Sequence, residues 1–186
     1  MKKLKYGLIA AVAAVAATTI TMVSGCDPDD STIIAAANTA GNLGLSAWFA
    51  IDDPDAKVKS TLKEVVTLVE SSASTVGAGG SYVDALTKPV QEFVAGRDGL
   101  TAAQKNLINT GASVILGTLD TFIGSNKEIQ GNVERVSKVV AAFCKGCLTA
   151  IERSEDCCEA KALKKAHEAI KMQYDADAKA FAVPAK

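Results

Sequence analysis

Histidine is nearly missing from this chain: of its 186 residues only His167 is one. A Ser-His-Asp or Cys-His nucleophilic set would have to rest on that side chain alone. It lies among Lys164, Lys165, Glu168 and Lys171, which read as the solvated face of a helix. Aromatic residues make up 5% of the chain, with Trp48 the single tryptophan. There is no Gly-rich phosphate loop, HExxH or GxSxG sequence, so the common phosphate, zinc-protease and hydrolase signatures are excluded. No hairpin turn sits between alternating apolar runs, and no repeat of solenoid period occurs. Charge of either sign is not in excess: 20 basic residues face 21 acidic ones. A nucleic-acid footprint, which needs a basic face, is therefore not expected. Asp52, Asp53 and Asp55 lack the twelve-residue EF-hand spacing and read as helix capping through Asp53, so no metal site is expected. The chain has no assembled catalytic set, and we expect no enzyme activity and no dissociable cofactor.

What is present begins with the leader. Met1-Lys2-Lys3-Leu4-Lys5 is basic, Tyr6 to Val23 carries no charge, and Ser24-Gly25 closes the run with small residues. This three-part layout is that of a secretory signal. The uncharged run also approaches bilayer-spanning length, but its small-residue end favours cleavage over retention as an anchor.

Val23-Ser24-Gly25-Cys26 resembles the lipobox of bacterial lipoproteins: a branched apolar residue, a small one, Gly or Ala, then Cys. The resemblance covers residues 1–26 only. It implies that Gly25–Cys26 is the cleaved bond, that the Cys26 sulfur carries a diacylglycerol and that the new amino terminus is acylated. Each buried acyl methylene adds ~0.8 kcal/mol of membrane affinity, and two or three chains give stable anchoring where one does not. Asp27 is similar to an inner-membrane retention signal where the host sorts on that position. Residues 26–31 then form an acidic tether. Loss of Lys2, Lys3 and Lys5 leaves 17 basic residues against 21 acidic ones, a net charge of −4. The lipid rather than electrostatic adhesion must then do the holding.

Residues 32–186 read as one all-α domain, a bundle or orthogonal array of about six helices. The first spans roughly Thr32 to Ile51. Pro54 suits the start of a second, whose Val58, Leu62, Val65, Val66 and Val69 recur at helical period. "GAGG" (77–80) breaks the chain, and Ser81 with Asp84 caps a third helix bearing Val83, Leu86, Val90 and Phe93. Pro89 should kink or divide it. Thr101 with Gln104 caps a fourth, with Ile108, Ala112, Ile115, Leu119 and Phe122 inward. Ser125 with Glu128 caps a fifth, with Val133, Val136, Val140, Phe143, Cys147 and Ile151 inward. Ser154 opens a sixth, lined by Leu163, Ala166, Ile170, Tyr174 and Phe181.

Four cysteines remain after Cys26, all in or beside "CKGCLTAIERSEDCC". An even number in an exported chain suggests disulfides. A bend near Arg153-Ser154 would bring the pairs to similar heights, as Cys147–Cys157 with Cys144–Cys158, or in the swapped pairing. Each bridge closes about 11–15 residues and contributes ~3 kcal/mol on the chain-entropy model, stapling a C-terminal hairpin. A redox CxxC is the competing reading, though reactive pairs sit at a helix N-terminus and this one does not. Zinc bound by three cysteines and His167 is a further one, disfavoured by the distance of His167.

The segment 31–51 has no charge. Ala37/Gly41 and Ala40/Gly44 put small residues at i, i+4, which permits close helix approach. A central buried helix, packed on Gly111 and Gly117 of the fourth and carrying Trp48 and Phe49 in the core, is the main reading. The whole then reads as a lipid-anchored extracytoplasmic helical module that binds or scaffolds a protein or other envelope component. Insertion or pore formation by helix 31–51, or thiol oxidoreduction through Cys144 and Cys147, are the alternatives.

Overall fold

Six helices follow one another among the described residues of the computed structural model, 30–76, 80–125, 129 and 131–156, with no strand among them. They are α1 (Asp30–Asp52), α2 (Ala56–Ser71), α3 (Ala73–Val76), α4 (Tyr82–Ala95), α5 (Ala102–Ser125) and α6 (Val133–Asp156). The expected all-α bundle is thus present. The chain divides into two compact units, Met1–Ser154 and Glu155–Lys186.

α2 follows its sequence pattern closely. Val58, Leu62, Val65, Val66 and Val69 are all buried, joined by Thr61. Its cap differs from expectation. Asp55, not Asp53, accepts the Val58 N–H at 2.9 Å. Asp53 instead ends α1 with φ 36°, in the left-handed region that Asp tolerates better than most residues, and its N–H reaches the Phe49 carbonyl at 3.0 Å.

α4 starts at Ser81, whose hydroxyl accepts the Asp84 N–H at 3.1 Å. The helix continues through Pro89 without dividing. Its buried face is Tyr82, Leu86, Val90 and Val94. Leu86 and Val90 are buried as expected, but Val83 is exposed and Phe93 only half-buried, and Tyr82 and Val94 complete the row at i, i+4 spacing instead. At the start of the helix Asp120 of α5 accepts the Tyr82 N–H at 2.6 Å and the Val83 N–H at 3.2 Å. A carboxylate there satisfies orphan donors and suits the helix dipole.

α5 packs against α1, α2 and α4. Its predicted stripe of Ile108, Ala112, Ile115, Leu119 and Phe122 is buried, widened by Gly111, Leu116, Thr118 and Ile123. The Thr101–Gln104 capping box forms in both directions, at 2.9 and 3.2 Å. α6 begins later than expected. Ser125 lies inside α5, and Asn132 caps α6 by accepting the Arg135 N–H at 3.0 Å. Val133, expected inside, is 50% exposed.

At its other end α6 runs through Ser154 to Asp156. The expected bend does not occur, and Ser154 bonds back to the Ile151 carbonyl at 2.6 Å within the helix. Of the sixth helix expected from Ser154, the part beyond Asp156, His167 included, lies outside the described residues, as do residues 1–29.

Candidate functional site

The sequence places its candidate chemistry at Cys26, at the "CKGC" segment and on the uncharged helix 31–51. Gly25, Cys26, Cys157 and Cys158 lie outside the described residues. Cys144, Cys147 and α1 lie within them, and the fold brings these together.

α1 and α6 lie side by side and run the same way. Asp30 pairs with Arg135 at 2.6 Å, and the Asn38 amide donates to the Ala142 carbonyl at 3.2 Å. Between them the two backbones touch. A methyl group on Gly41 would fall on the Phe143 carbonyl oxygen and 3.2 Å from the Cys147 nitrogen. One on Gly146 would fall on the Asn38 carbonyl oxygen and 2.9 Å from the Asn42 nitrogen. Glycine on each helix thus answers glycine on the other, and only the missing Cβ atoms allow the approach.

The two thiols flank this contact and are completely buried. Cys147 Sγ donates to the Gly41 carbonyl at 3.5 Å. Burial raises the Cys144 thiol to about 12, with a smaller contribution from Glu70. Cys147 is also pushed well above its ordinary value, chiefly by burial. Tyr82, whose hydroxyl donates to the Ala73 carbonyl at 3.3 Å, is likewise raised to about 12 by desolvation, with Cys144 and then Asp120 adding to it. Both cysteines are free, and no cysteine pair at bridging distance is present among the described residues. The expected partners, Cys157 and Cys158, lie outside the described residues, and the expected staple has no support within them. With 1.5 Å of rise per residue, the straight run of α6 carries Asp156 roughly 18 Å along the axis from Cys144. The antiparallel return that the pairing requires does not begin within that run.

The other face of α1 meets α5. Gly44 accommodates Thr118, whose hydroxyl would stand 3.3 Å from an added Cβ. Gly111 accommodates the Trp48 ring, with ring carbons 3.0 and 3.1 Å from an added Cβ and Leu62 Cδ2 at 3.1 Å. Trp48 and Phe49 are buried as expected, their ring centroids 5.4 Å apart. Gly117, expected to join this contact, has nothing within 4 Å of an added Cβ.

The acidic triplet does not converge on a metal, and no group of three or more His, Cys, Asp or Glu side chains suited to one occurs among the described residues. Asp55 links two helix starts, accepting from Gln104 Nε2 at 2.8 Å as well as capping α2. The Gln104 and Val58 hydrogen bonds hold its carboxyl below the usual range.

Gly146 and Asp120 are the residues whose importance the sequence reading missed. Ala142, Gly146 and Ala150 repeat small residues every four positions, a sign of close approach that the flanking cysteines obscured. Asp120 offered no such sign, since the helix it caps lies 38 residues away. Comparison with protein-family models, with curated proteins and with solved structures finds no match.

Proposed function

We propose that this chain is a bacterial lipoprotein: processed at Gly25–Cys26, acylated on Cys26, and holding a non-catalytic helical body against the extracytoplasmic face of a membrane, where it binds or scaffolds a protein or envelope partner. The observation that carries the reading is the lipobox-like Val23-Ser24-Gly25-Cys26 at the end of a basic-then-apolar leader, followed within four residues by the first turn of α1 at Asp30. A cut before Cys26 would remove the leader without touching any described helix.

The buried thiols support a role in packing rather than redox chemistry. A thiol raised far above neutral pH presents almost no thiolate, which is the nucleophilic form. A disulfide staple to Cys157 and Cys158 would need α6 to end before Asp156; the continuous helix supports two reduced cysteines at Cys144 and Cys147. The burial of Trp48 and of the Gly41 and Gly44 faces supports α1 as a core helix rather than an inserting one. By length and composition, α5 rather than α1 is the described helix apolar enough to cross a bilayer, and half of that span is buried in the fold.

Metabolic labelling with a fatty-acid analogue tests the proposal. The wild-type chain should take up label and float with membranes, and Cys26→Ser should do neither. Equal labelling of both, or none of the wild type in cells competent for this processing, would reject it.

A further inference from the structure

We infer that the end of the bundle formed by the starts of α1 and α6 lies against the phospholipid headgroups, and that the opposite end, around Asp98, faces away. This rests on the proposed acylation of Cys26.

The chain length sets the first constraint. Asp30 is four residue steps from Cys26, and at no more than ~3.6 Å each these span at most ~14 Å. The first turn of α1 is thus held within that reach of the acylated sulfur. The fold sets the second. Because α1 and α6 run parallel in backbone contact, joined at Asp30–Arg135, the start of α6 lies at the same end. α1 then runs roughly 33 Å away from it. At its far end Asp55 meets Gln104, and Lys57 bonds to the Gly99 carbonyl next to Asp98.

Surface chemistry supplies the third. Val133, the most exposed large apolar side chain among the described residues, opens α6 at the near end, and one turn on Arg135, Lys138 and Val139 line a groove with Asp30, Ile33 and Ile34 of α1. Long basic side chains can lay their stems along apolar surface and keep their charges at headgroup level. The charges here are internally matched: Asp30 pairs with Arg135, and Glu134 with Lys138 at 2.8 Å. The near face is therefore held by the anchor and by apolar contact rather than by attraction to anionic lipid. Its seating should change little when salt is raised, because screening acts on net attraction.

The experiment uses the full acylated chain on phosphatidylcholine–phosphatidylglycerol vesicles, with Cys157→Ser and Cys158→Ser removing the cysteines beyond α6. A nitroxide is placed at Val133→Cys in one sample and at Asp98→Cys in another, and relaxation by oxygen is compared with relaxation by a water-soluble nickel chelate. At 133 oxygen should dominate at low and at high salt, and at 98 the nickel chelate should dominate. Aqueous profiles at both positions, on protein that floats with the vesicles, would overturn the orientation while leaving the anchor intact. Failure to float would reject the anchor, and the orientation with it.

Discussion

Glycine does opposite work in two parts of this bundle. At the α1–α6 contact, Gly41 and Gly146 each stand where a single methyl would strike the backbone of the other helix. On α5, Gly117 and Gly124 have open space where their Cβ atoms would be. The residue type is the same and both pairs are helical, so composition alone cannot separate them. What separates them is whether a second backbone is present. In the first case glycine permits contact between α1 and α6; in the second it gives up helix propensity with no packing partner among the described residues.

Substitutions should widen that contrast. Gly146→Ala is expected to have the largest effect, about 3 kcal/mol or more of lost stability, because rigid backbone rather than a flexible side chain must yield. Denaturant unfolding measures it, and a loss under about 1 kcal/mol would mean that the two helices are not in backbone contact. Gly111→Ala should cost less, about 2 kcal/mol, since the Trp48 ring and Leu62 can move by a few tenths of an ångström. Near-ultraviolet circular dichroism and tryptophan fluorescence should register the shift in Trp48. Asp120→Ala removes the acceptor shared by Ser81, Tyr82 and Val83 and should cost about 1–2 kcal/mol. Hydrogen exchange should then rise at the start of α4 before it rises elsewhere. Gly117→Ala should stabilise by up to ~0.8–1 kcal/mol, the helix-propensity difference. Destabilisation there would show that α5 has a close neighbour on that face.

The remaining effect is absent at neutral pH. Cys144 and Tyr82 hold their protons more tightly when folded, at about 12, than the ordinary values of 9.0 and 10.0. A folded pKa raised above the unfolded one contributes stability that is complete below the unfolded pKa and lost as pH rises towards the folded value. The melting temperature should therefore fall from about pH 9 upward, and Cys144→Ala should flatten that fall while lowering stability at neutral pH. A fall that begins on the acidic side instead would assign the pH dependence to other groups.

How far these features were legible in the sequence depended on their range. The α2 stripe and the Thr101–Gln104 box are local patterns, and both stand as read. Ala37/Gly41 and Ala40/Gly44 announced close approach correctly, yet the pattern names no partner. The fold divides it, with Gly41 facing α6 and Gly44 facing α5. "CKGC" was misleading because its two cysteines drew attention from the glycine between them. Read as chemistry, it suggested bridges or redox; read as packing, it is a small-residue contact flanked by buried thiols. The capping of α4 by Asp120 and the start of α6 at Asn132 depend on groups that helical periodicity cannot weigh against one another.

The glycine contact explains how the helical body is held together; the proposed lipid explains where it is held. Intact-mass analysis of the chain extracted from membranes tests that second claim most directly. The account predicts a polypeptide beginning at Cys26, heavier than its sequence by a diacylglycerol and an amide-linked acyl chain. A chain that still begins at Met1, or a Cys26 with a bare sulfur in cells that carry out this processing, would contradict it.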